Sequence, residues 1–246
     1  MTAHILTSPN ILKLLAHDMR WQIVRLLVTG DYQVNELVDQ LGQPLNLVSY
    51  HLRQLRDGEL VSARRSEADG RDTYYSVDLN RLRTLYRVAG AALHPLVVSD
   101  SQLSGPIAGK VLFVCTHNSA RSQMAEGLMR HLSAGQIQVA SAGSEPTHIH
   151  PDAVRTMQKF GIDIRGQHAN SLDDYHEQTF DTVITVCDRA REVCPAFPGG
   201  GQQLHWGFTD PAAIDDEKER QQAFMNTALR LQSRIEYWLR GLQAGG

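Results

Sequence analysis

A chain of 246 residues with a hydrophobic fraction of 42% can build either one large domain or two modest ones. The net charge of −3 shows no global basic bias, so a nucleic-acid-binding function must rest on local clusters of Lys and Arg. No apolar run approaches membrane-spanning length, the N-terminus lacks a signal-peptide pattern, and the 3 cysteines are an odd number, so a cytoplasmic protein without a membrane partner is expected.

The N-terminal part of the chain begins with helical patterns. Apolar residues recur at helical spacing over residues 8–29, 33–41 and 45–56, and Gly42 and Pro44 separate the last two segments. Two short helices joined by a tight glycine-containing turn are typical of a helix-turn-helix, whose second helix enters the major groove of DNA.

A hairpin and a closing helix follow. Residues 60–65 and 73–77 predict two strands, the polar tip 66–72 would make them a wing, and residues 80–92 predict a helix. The side chains expected to contact DNA come from the outer face of the third helix and from the hairpin: Asn46, Ser49, Tyr50, Arg53, Gln54, Arg64 and Arg71. The hairpin arginines could instead lie on a solvated strand, since acidic residues dilute their charge, but the neighbouring helix-turn-helix favours DNA binding.

A change of pattern divides the chain. Residues 96–109 contain Ser, Gly and Pro106 and predict a linker between domains at 1–95 and 110–246. Beyond it, apolar strands alternate with helical segments, which predicts a doubly wound α/β domain with a four-stranded parallel sheet. The predicted strands are 111–114, 137–142, 182–186 and 203–206, and the predicted helices are 122–132, 151–160 and 217–239.

The stretch VLFVCTHNSARSQ, residues 111–123, joins an apolar strand to a helix through a short polar loop with the spacing Cys-x5-Arg. Backbone N–H groups of such a loop can surround a tetrahedral oxyanion, and the Arg121 guanidinium can bind two of its oxygens. The same field favours a thiolate, so Cys115 is expected to be a nucleophile near neutral pH. The other residues expected to bind the anion are Thr116, His117, Asn118, Ser119, Ala120 and Ser122.

The two other cysteines follow a second buried strand. Cys187 ends its strand as Cys115 does, so both thiols are expected at one edge of the sheet. Cys194 lies in a polar segment that is predicted to be a movable loop. No metal site is expected, because no paired Cys-x2-Cys or His set accompanies them, and His148 and His150 are expected at the surface.

The N-terminal half resembles the ArsR-type winged-helix repressors in the stretches LAHDMRWQIVRLL, NLVSYHLRQLRDGELVSARR and GRDTYYSVD. The resemblance implies a homodimer that binds a palindromic operator. Many members carry a Cys-x-Cys metalloid site in the helix before the turn, whereas this chain has Gln33 to Leu37 without a thiol there. We therefore expect no inducer site in this domain.

The C-terminal half resembles the low-molecular-weight tyrosine phosphatase fold, and within it the thioredoxin-coupled arsenate reductases, in VCTHNSARSQMAEGL, SAGSEP, TVCDRAREVCP and HWGFTDPA. The resemblance implies Cys115 as nucleophile, Arg121 as anion clamp and Asp210 as general acid. It also implies that Cys187 and Cys194 carry a disulfide relay, with arsenate as substrate, arsenite as product, no bound cofactor and thioredoxin as external reductant.

Departures from the family pattern leave three functions open. Phosphatases of this fold usually have two tyrosines directly after the catalytic Asp-Pro, where this chain has Ala212 and Ala213; the loop position before the arginine, often a second Cys, is Ala120. Reductases often have Asp before that Asp-Pro, where this chain has Thr209. The chain is thus expected to be an arsenate reductase fused to a repressor, with a regulator that only senses an oxyanion or arsenite, or a tyrosine phosphatase, as alternatives.

The cysteines also bear on how the two halves communicate. Arsenic(III) prefers thiolate sulfur, and all 3 cysteines lie in the C-terminal half. Any response of DNA binding to arsenite or to redox state is therefore expected to begin there. The alternative is a simple fusion in which the halves act independently.

Overall fold

A computed structural model describes residues 9–68, 70–93, 107–193 and 201–244 of the chain. These residues form two compact units, one with residues 9–65 and 71–93, the other with 66–68, 70, 107–193 and 201–244. Most of the predicted linker 96–109 lies outside the described residues, so the domain boundaries stay a prediction.

The N-terminal unit is built from helices around a small apolar core. The helices are α1 (Asn10–Leu15), α2 (Asp18–Thr29), α3 (Val34–Leu41), α4 (Leu45–Asp57) and α5 (Leu79–Leu93). The side chains of Ile23, Leu37 and Leu52 are buried between them. Gly42 ends α3 with a φ of 60°, a left-handed conformation that glycine adopts without strain, and this turn leads into α4.

The hairpin belongs to a three-stranded antiparallel sheet in the order β1-β3-β2, with β1 at Tyr32–Gln33, β2 at Val61–Arg65 and β3 at Thr73–Val77. The two predicted strands are confirmed. The sequence did not predict β1, because two residues are too short to show an alternating pattern.

The predicted single helix over residues 8–29 is wrong, since the described part of this segment holds two helices. His17 separates them: its Nδ1 accepts a hydrogen bond from the Met19 N–H at 3.2 Å and caps the start of α2.

The C-terminal unit contains the four-stranded parallel sheet that the sequence predicts, and the structure shows its strand order to be β5-β4-β6-β7. Its strands are β4 (Gly109–Cys115), β5 (Ile137–Gly143), β6 (Thr182–Thr185) and β7 (Gln202–His205). β4 is a central strand of this sheet, and its residues Val111–Cys115 are all buried, which accounts for the continuous apolar run.

Helices α6 (Arg121–Leu132), α7 (Pro151–Lys159), α8 (Asp188–Val193) and α9 (Glu217–Ala244) accompany this sheet. The predicted helix over 217–239 is confirmed as α9, and five side chains on one side of it are fully buried: Phe224, Ala228, Leu231, Ile235 and Leu239. The segment after Cys187 was expected to be a loop, whereas its described part forms α8. Within the described residues, no helix is long and apolar enough to cross a membrane.

Candidate active site

Cys115 lies at the carboxyl end of the central strand and is only 4% exposed. Its Sγ accepts a hydrogen bond from the Asn118 N–H at 3.1 Å and lies 2.9 Å from the Ser122 Oγ. Because α6 begins at Arg121, directly after the loop, the positive end of the helix dipole lies beside this thiol. These hydrogen-bond donors and the helix dipole therefore favour negative charge on the Cys115 sulfur.

The loop that follows Cys115 is anchored through its carbonyl groups. The N–H groups of Glu145, Thr147 and His150 donate to the carbonyl oxygens of residues 116, 117 and 119 at distances of 2.9, 3.1 and 2.9 Å. Each anchored carbonyl fixes the orientation of its peptide plane, and so of the N–H group on the other side of that plane. The segment 145–150 thus fixes the orientation of three peptide planes in the loop.

Asn118 is the centre of the hydrogen bonds inside the loop. Its backbone has a φ of 45°, a left-handed conformation that asparagine tolerates better than most residues. Its Nδ2 donates to Ser122 Oγ at 2.9 Å and to Ser141 Oγ at 2.8 Å, while its Oδ1 accepts from Gln123 at 2.9 Å and from the Asn170 N–H at 2.8 Å. The Asn118 side chain is therefore fully buried and hydrogen-bonded through both its oxygen and its nitrogen.

Gly143 is a residue of the site that the sequence analysis missed. A Cβ atom at this position would lie 2.5 Å from the Thr116 carbonyl oxygen and 2.8 Å from the Asn118 nitrogen, which is closer than such atoms can approach. The last residue of β5 must therefore be glycine for the anion loop to keep its conformation. The sequence shows a glycine directly after a predicted strand. Its role in the site becomes evident only from the pairing of β4 with β5, which places Gly143 beside Cys115.

Arg121 and Asp210 meet at the mouth of the loop. The Arg121 Nη2 lies 3.0 Å from Asp210 Oδ2, and its Nη1 donates to the Phe208 carbonyl at 2.6 Å. Asp210 precedes a single 3-10 turn, Pro211–Ala213, and caps it by accepting a hydrogen bond from the Ala212 N–H at 3.1 Å. Burial lowers the pKa of the Arg121 guanidinium, but the nearby Asp210 and thiol groups outweigh burial and raise it, so the residue stays cationic.

A short segment of the C-terminal unit, residues 66–68, also contacts Arg121. The Glu67 carboxylate lies 3.2 Å from the Arg121 Nη1 and accepts a hydrogen bond from the Asp210 N–H at 3.0 Å. An incoming oxyanion and this carboxylate carry the same sign of charge, so they compete for the same guanidinium.

The pKa of Cys115 differs in direction from the expectation of a thiolate near neutral pH. Burial raises the pKa of the thiol, and the neighbouring Cys187 raises it further, while Ser122, Arg121 and the Asn118 N–H lower it. The sequence indicates which groups stabilise a thiolate. It does not indicate how deeply the Cys115 sulfur is buried, and burial is what raises the pKa most.

Cys187 is a buried free thiol near the start of α8. Its Sγ lies 3.5 Å from the Thr116 Oγ1 and accepts a hydrogen bond from the Ala190 N–H at 3.4 Å. Cys187 thus lies beside Thr116, the residue that follows Cys115. Both thiols are at the same edge of the sheet, as the sequence predicts. Cys194 lies outside the described residues.

A buried pair that the sequence analysis missed lies beside Cys187. The Asp188 Oδ1 is 3.1 Å from the His205 Nε2, and the His205 Nδ1 is 2.9 Å from the Thr185 Oγ1. The pair links β7 to the first residue of α8. Only the parallel pairing of β6 with β7 brings these side chains together.

The pocket above Cys115 has a volume of about 130 Å³, which suits a small anion. It is lined by Cys115, His117, Ser119, Ala120, Arg121, Thr147, Asp210 and Ala212. Among the described residues, no group of three or more His, Cys, Asp or Glu side chains is arranged to hold a metal ion.

The residues predicted to contact DNA lie in the N-terminal unit. On α4, Asn46, Ser49, Tyr50 and Arg53 are exposed and Gln54 is half-buried, while the hairpin residue Arg71 is exposed. Arg64 differs from these, because its Nη2 lies 3.6 Å from the buried Asp31 carboxylate and its guanidinium lies over the Tyr74 ring. The contacts with DNA stay a prediction.

Two protein families match separate parts of the chain. Residues 110–245 match the family described as low molecular weight phosphotyrosine protein phosphatase, which is more than half of the chain. Residues 17–63, which include the helix-turn-helix, match the family described as bacterial regulatory protein, arsR family.

Several relatives are similar to the C-terminal part. The arsenate reductase of Halalkalibacterium halodurans is 43% identical over 111 residues, which are 44% of this chain and 80% of the relative. The arsenate reductase of Bacillus subtilis is 40% identical over 114 residues, 46% of this chain and 82% of the relative. A solved arsenate reductase in the phosphate-binding state is 32% identical, with a TM-score of 0.48, over 54% of this chain and 98% of that chain.

Proposed function

The chain belongs to the low molecular weight phosphotyrosine protein phosphatase family, and from that premise we propose that it is an arsenate reductase fused to an arsR-type regulator. One observation carries the proposal: Cys115, Arg121 and Asp210 line a single small pocket, and a second thiol, Cys187, lies 3.5 Å from the hydroxyl of Thr116, the residue after Cys115. A phosphatase needs only the first three of these groups, whereas a reductase also needs a second thiol to supply electrons.

In the first step, Arg121 and the backbone of the anion loop bind arsenate. The Cys115 thiolate attacks arsenic and forms a sulfur–arsenic bond, while one arsenic–oxygen bond breaks. Asp210 gives a proton to the departing hydroxide, which leaves as water. Arsenic is still in the +5 state at this stage, because a ligand has been exchanged and no electrons have moved to the metalloid.

In the second step, the Cys187 thiolate attacks the Cys115 sulfur. The electron pair of the sulfur–arsenic bond passes to arsenic, which leaves as arsenite in the +3 state, and the two sulfurs form a disulfide. Cys194 then attacks Cys187 and frees the Cys115 thiolate. A dithiol reductant of the thioredoxin class reduces the resulting Cys187–Cys194 disulfide and completes the cycle.

The test is an assay with the reduced full-length protein, arsenate, thioredoxin, thioredoxin reductase and NADPH. We expect NADPH oxidation that depends on arsenate and that stops in Cys115→Ser. Glutaredoxin with glutathione serves as the alternative reductant, and activity with that pair alone would replace thioredoxin in the proposal while leaving the reductase in place.

Two further variants separate a reductase from a phosphatase. Cys194→Ala should release one arsenite per protein and then stop with a Cys115–Cys187 disulfide, which peptide mapping detects. Hydrolysis of a phosphotyrosine peptide without any arsenate-dependent thiol oxidation would instead establish the phosphatase.

The N-terminal unit is proposed to bind operator DNA as a homodimer, with α4 in the major groove. The exposed polar side chains on α4 support this proposal. Gel-shift titration of the full-length protein against its own promoter region tests it, and binding that shows no preference over random DNA of the same length would contradict it.

A further inference from the structure

The turn that carries Asp210 is held at both ends by arginine side chains. At its start, Arg121 donates to the Phe208 carbonyl at 2.6 Å. At its end, the Arg220 Nη1 donates to the Ile214 carbonyl at 3.1 Å and to the Asp215 carbonyl at 2.8 Å. Asp210 lies between these two anchors, so the position of its carboxylate depends on both of them.

Arg220 is itself fixed by a buried carboxylate. Its Nε donates to Asp152 Oδ2 at 2.9 Å, and the Asp152 side chain is only 1% exposed. Arg155 binds the other oxygen of the same carboxylate, at 2.5 Å from its Nη2. Burial raises the pKa of Asp152, but the hydrogen bonds from Arg155 and Arg220 outweigh burial and lower it, so the carboxylate is ionised when it holds Arg220.

The same carboxylate stands next to the anion loop. Asp152 lies in the first turn of α7, and the His150 Nδ1 caps that turn by accepting from the Asp152 N–H at 3.1 Å. The His150 N–H in turn donates to the Ser119 carbonyl in the loop at 2.9 Å. A continuous chain of hydrogen bonds therefore connects the loop that holds the anion to the far end of the turn that holds Asp210.

We infer that Arg220 is a positioning residue for Asp210: with Asp152, it fixes the acid turn relative to the Cys115 loop. The inference rests on the proposed function, because it requires that Asp210 protonates the leaving oxygen. A proton can be transferred only when donor and acceptor are within hydrogen-bond reach, and a displacement of about 1 Å can reduce a rate by up to about 10²-fold. Arg220 touches no reacting atom in this mechanism, so its effect passes through Asp210.

The chemical step can be measured as the rate of arsenite release in a single turnover of the fully reduced full-length protein. We expect Arg220→Gln to lower this rate by about 10-fold to 100-fold. The inhibition constant of phosphate, which reports on the anion loop, should remain within about twofold of the wild type. Arg220→Lys keeps the charge and a donor, and it should recover part of the rate.

The matched control is Arg155→Gln. Arg155 binds the same Asp152 carboxylate, and the hydrogen bonds described for its side chain go to that carboxylate. We expect this variant to lose less rate than Arg220→Gln, because both carbonyl contacts of Arg220 remain. If it lost as much rate as Arg220→Gln, the carboxylate alone would matter and the carbonyl contacts of Arg220 would not.

A double variant decides whether Arg220 acts through Asp210. In the Asp210→Asn protein, which has no acid to position, Arg220→Gln should cause no further loss of rate. The same 10-fold to 100-fold loss in that background would overturn the inference, as would a wild-type rate in Arg220→Gln alone. If the wild-type protein released no arsenite at all, the proposed function would fail instead, so the two failures are distinguishable.

Discussion

The two units present their candidate functional side chains in opposite ways. In the C-terminal unit, Cys115 is 4% exposed, and three other side chains of the site are also buried and hydrogen-bonded to protein groups: Arg121, Ser122 and Cys187. In the N-terminal unit, Tyr50 is 56% exposed and lies on α4 among other exposed polar side chains.

This difference in exposure indicates how each kind of functional side chain is held in position. A catalytic loop must hold its groups within a fraction of an ångström before substrate arrives, so its residues are fixed by buried partners. Side chains that contact DNA find their hydrogen-bond partners only when the DNA binds, and they remain solvated until then. Single substitutions should therefore have large effects in the first region and small, salt-dependent effects in the second.

The largest effect is expected for Asn118→Ala. The substitution leaves the Asn170 N–H without its acceptor, removes one of the three acceptors of the Gln123 Nε2, and removes the donor to Ser122 and Ser141. We expect single-turnover arsenite release to fall by on the order of 10²-fold or more. Asn226→Ala, on the exposed side of α9, is the control. A loss below about threefold would show that the buried hydrogen bonds do not set the geometry of the loop.

Gly143→Ala should have the next largest effect. A Cβ atom 2.5 Å from the Thr116 carbonyl oxygen forces the backbone of the anion loop to shift, and the loop has no flexible side chain there that could yield. We expect the inhibition constant of phosphate to rise by about 10-fold, together with a loss of rate. Gly166→Ala is the matched control, because a Cβ atom there meets nothing within 4 Å. Equal phosphate binding in the two variants would contradict the role given to Gly143.

These two residues also show what the sequence could and could not reveal. Cys115, Arg121 and Asn118 lie in one contiguous stretch at a strand-to-helix turn, so their type and spacing predict an anion site without knowledge of the fold. Gly143 contributes through the pairing of β5 with β4, and this cannot be read from either strand alone.

The same reason explains the pairs around Asp152 and Asp188. Asp152 and Arg220 are far apart in the sequence, as are Asp188 and His205, and each pair forms only when the elements pack. The short helix α8 was missed for a local reason, because six mostly polar residues show no apolar stripe.

A smaller effect is expected for Ser122→Ala, which tests the charge state of the buried thiol. Burial raises the pKa of Cys115 and the Ser122 hydrogen bond lowers it, so removing the hydroxyl should raise the pKa further. At pH 7 a higher pKa means less thiolate, and alkylation of Cys115 by iodoacetamide should slow by a few-fold, with its pH midpoint moved upward. Mass spectrometry of the Cys115 peptide separates this thiol from the others. A downward shift of the midpoint would show that Ser122 does not stabilise the thiolate.

The smallest effect is expected for Arg71→Ala in the N-terminal unit. Arg71 is exposed on the hairpin and is predicted to contact a phosphate, which carries no sequence information. The variant should bind operator and random DNA more weakly by a similar factor, and the slope of log affinity against log salt should become shallower by about 1. Tyr50→Ala, on the exposed face of α4, is the comparison, because it is predicted to change the preferred base at one operator position with little change in the salt slope. If Arg71→Ala changed base preference instead, the hairpin would read sequence, and the contrast between positioning contacts on the hairpin and base contacts on α4 would not hold.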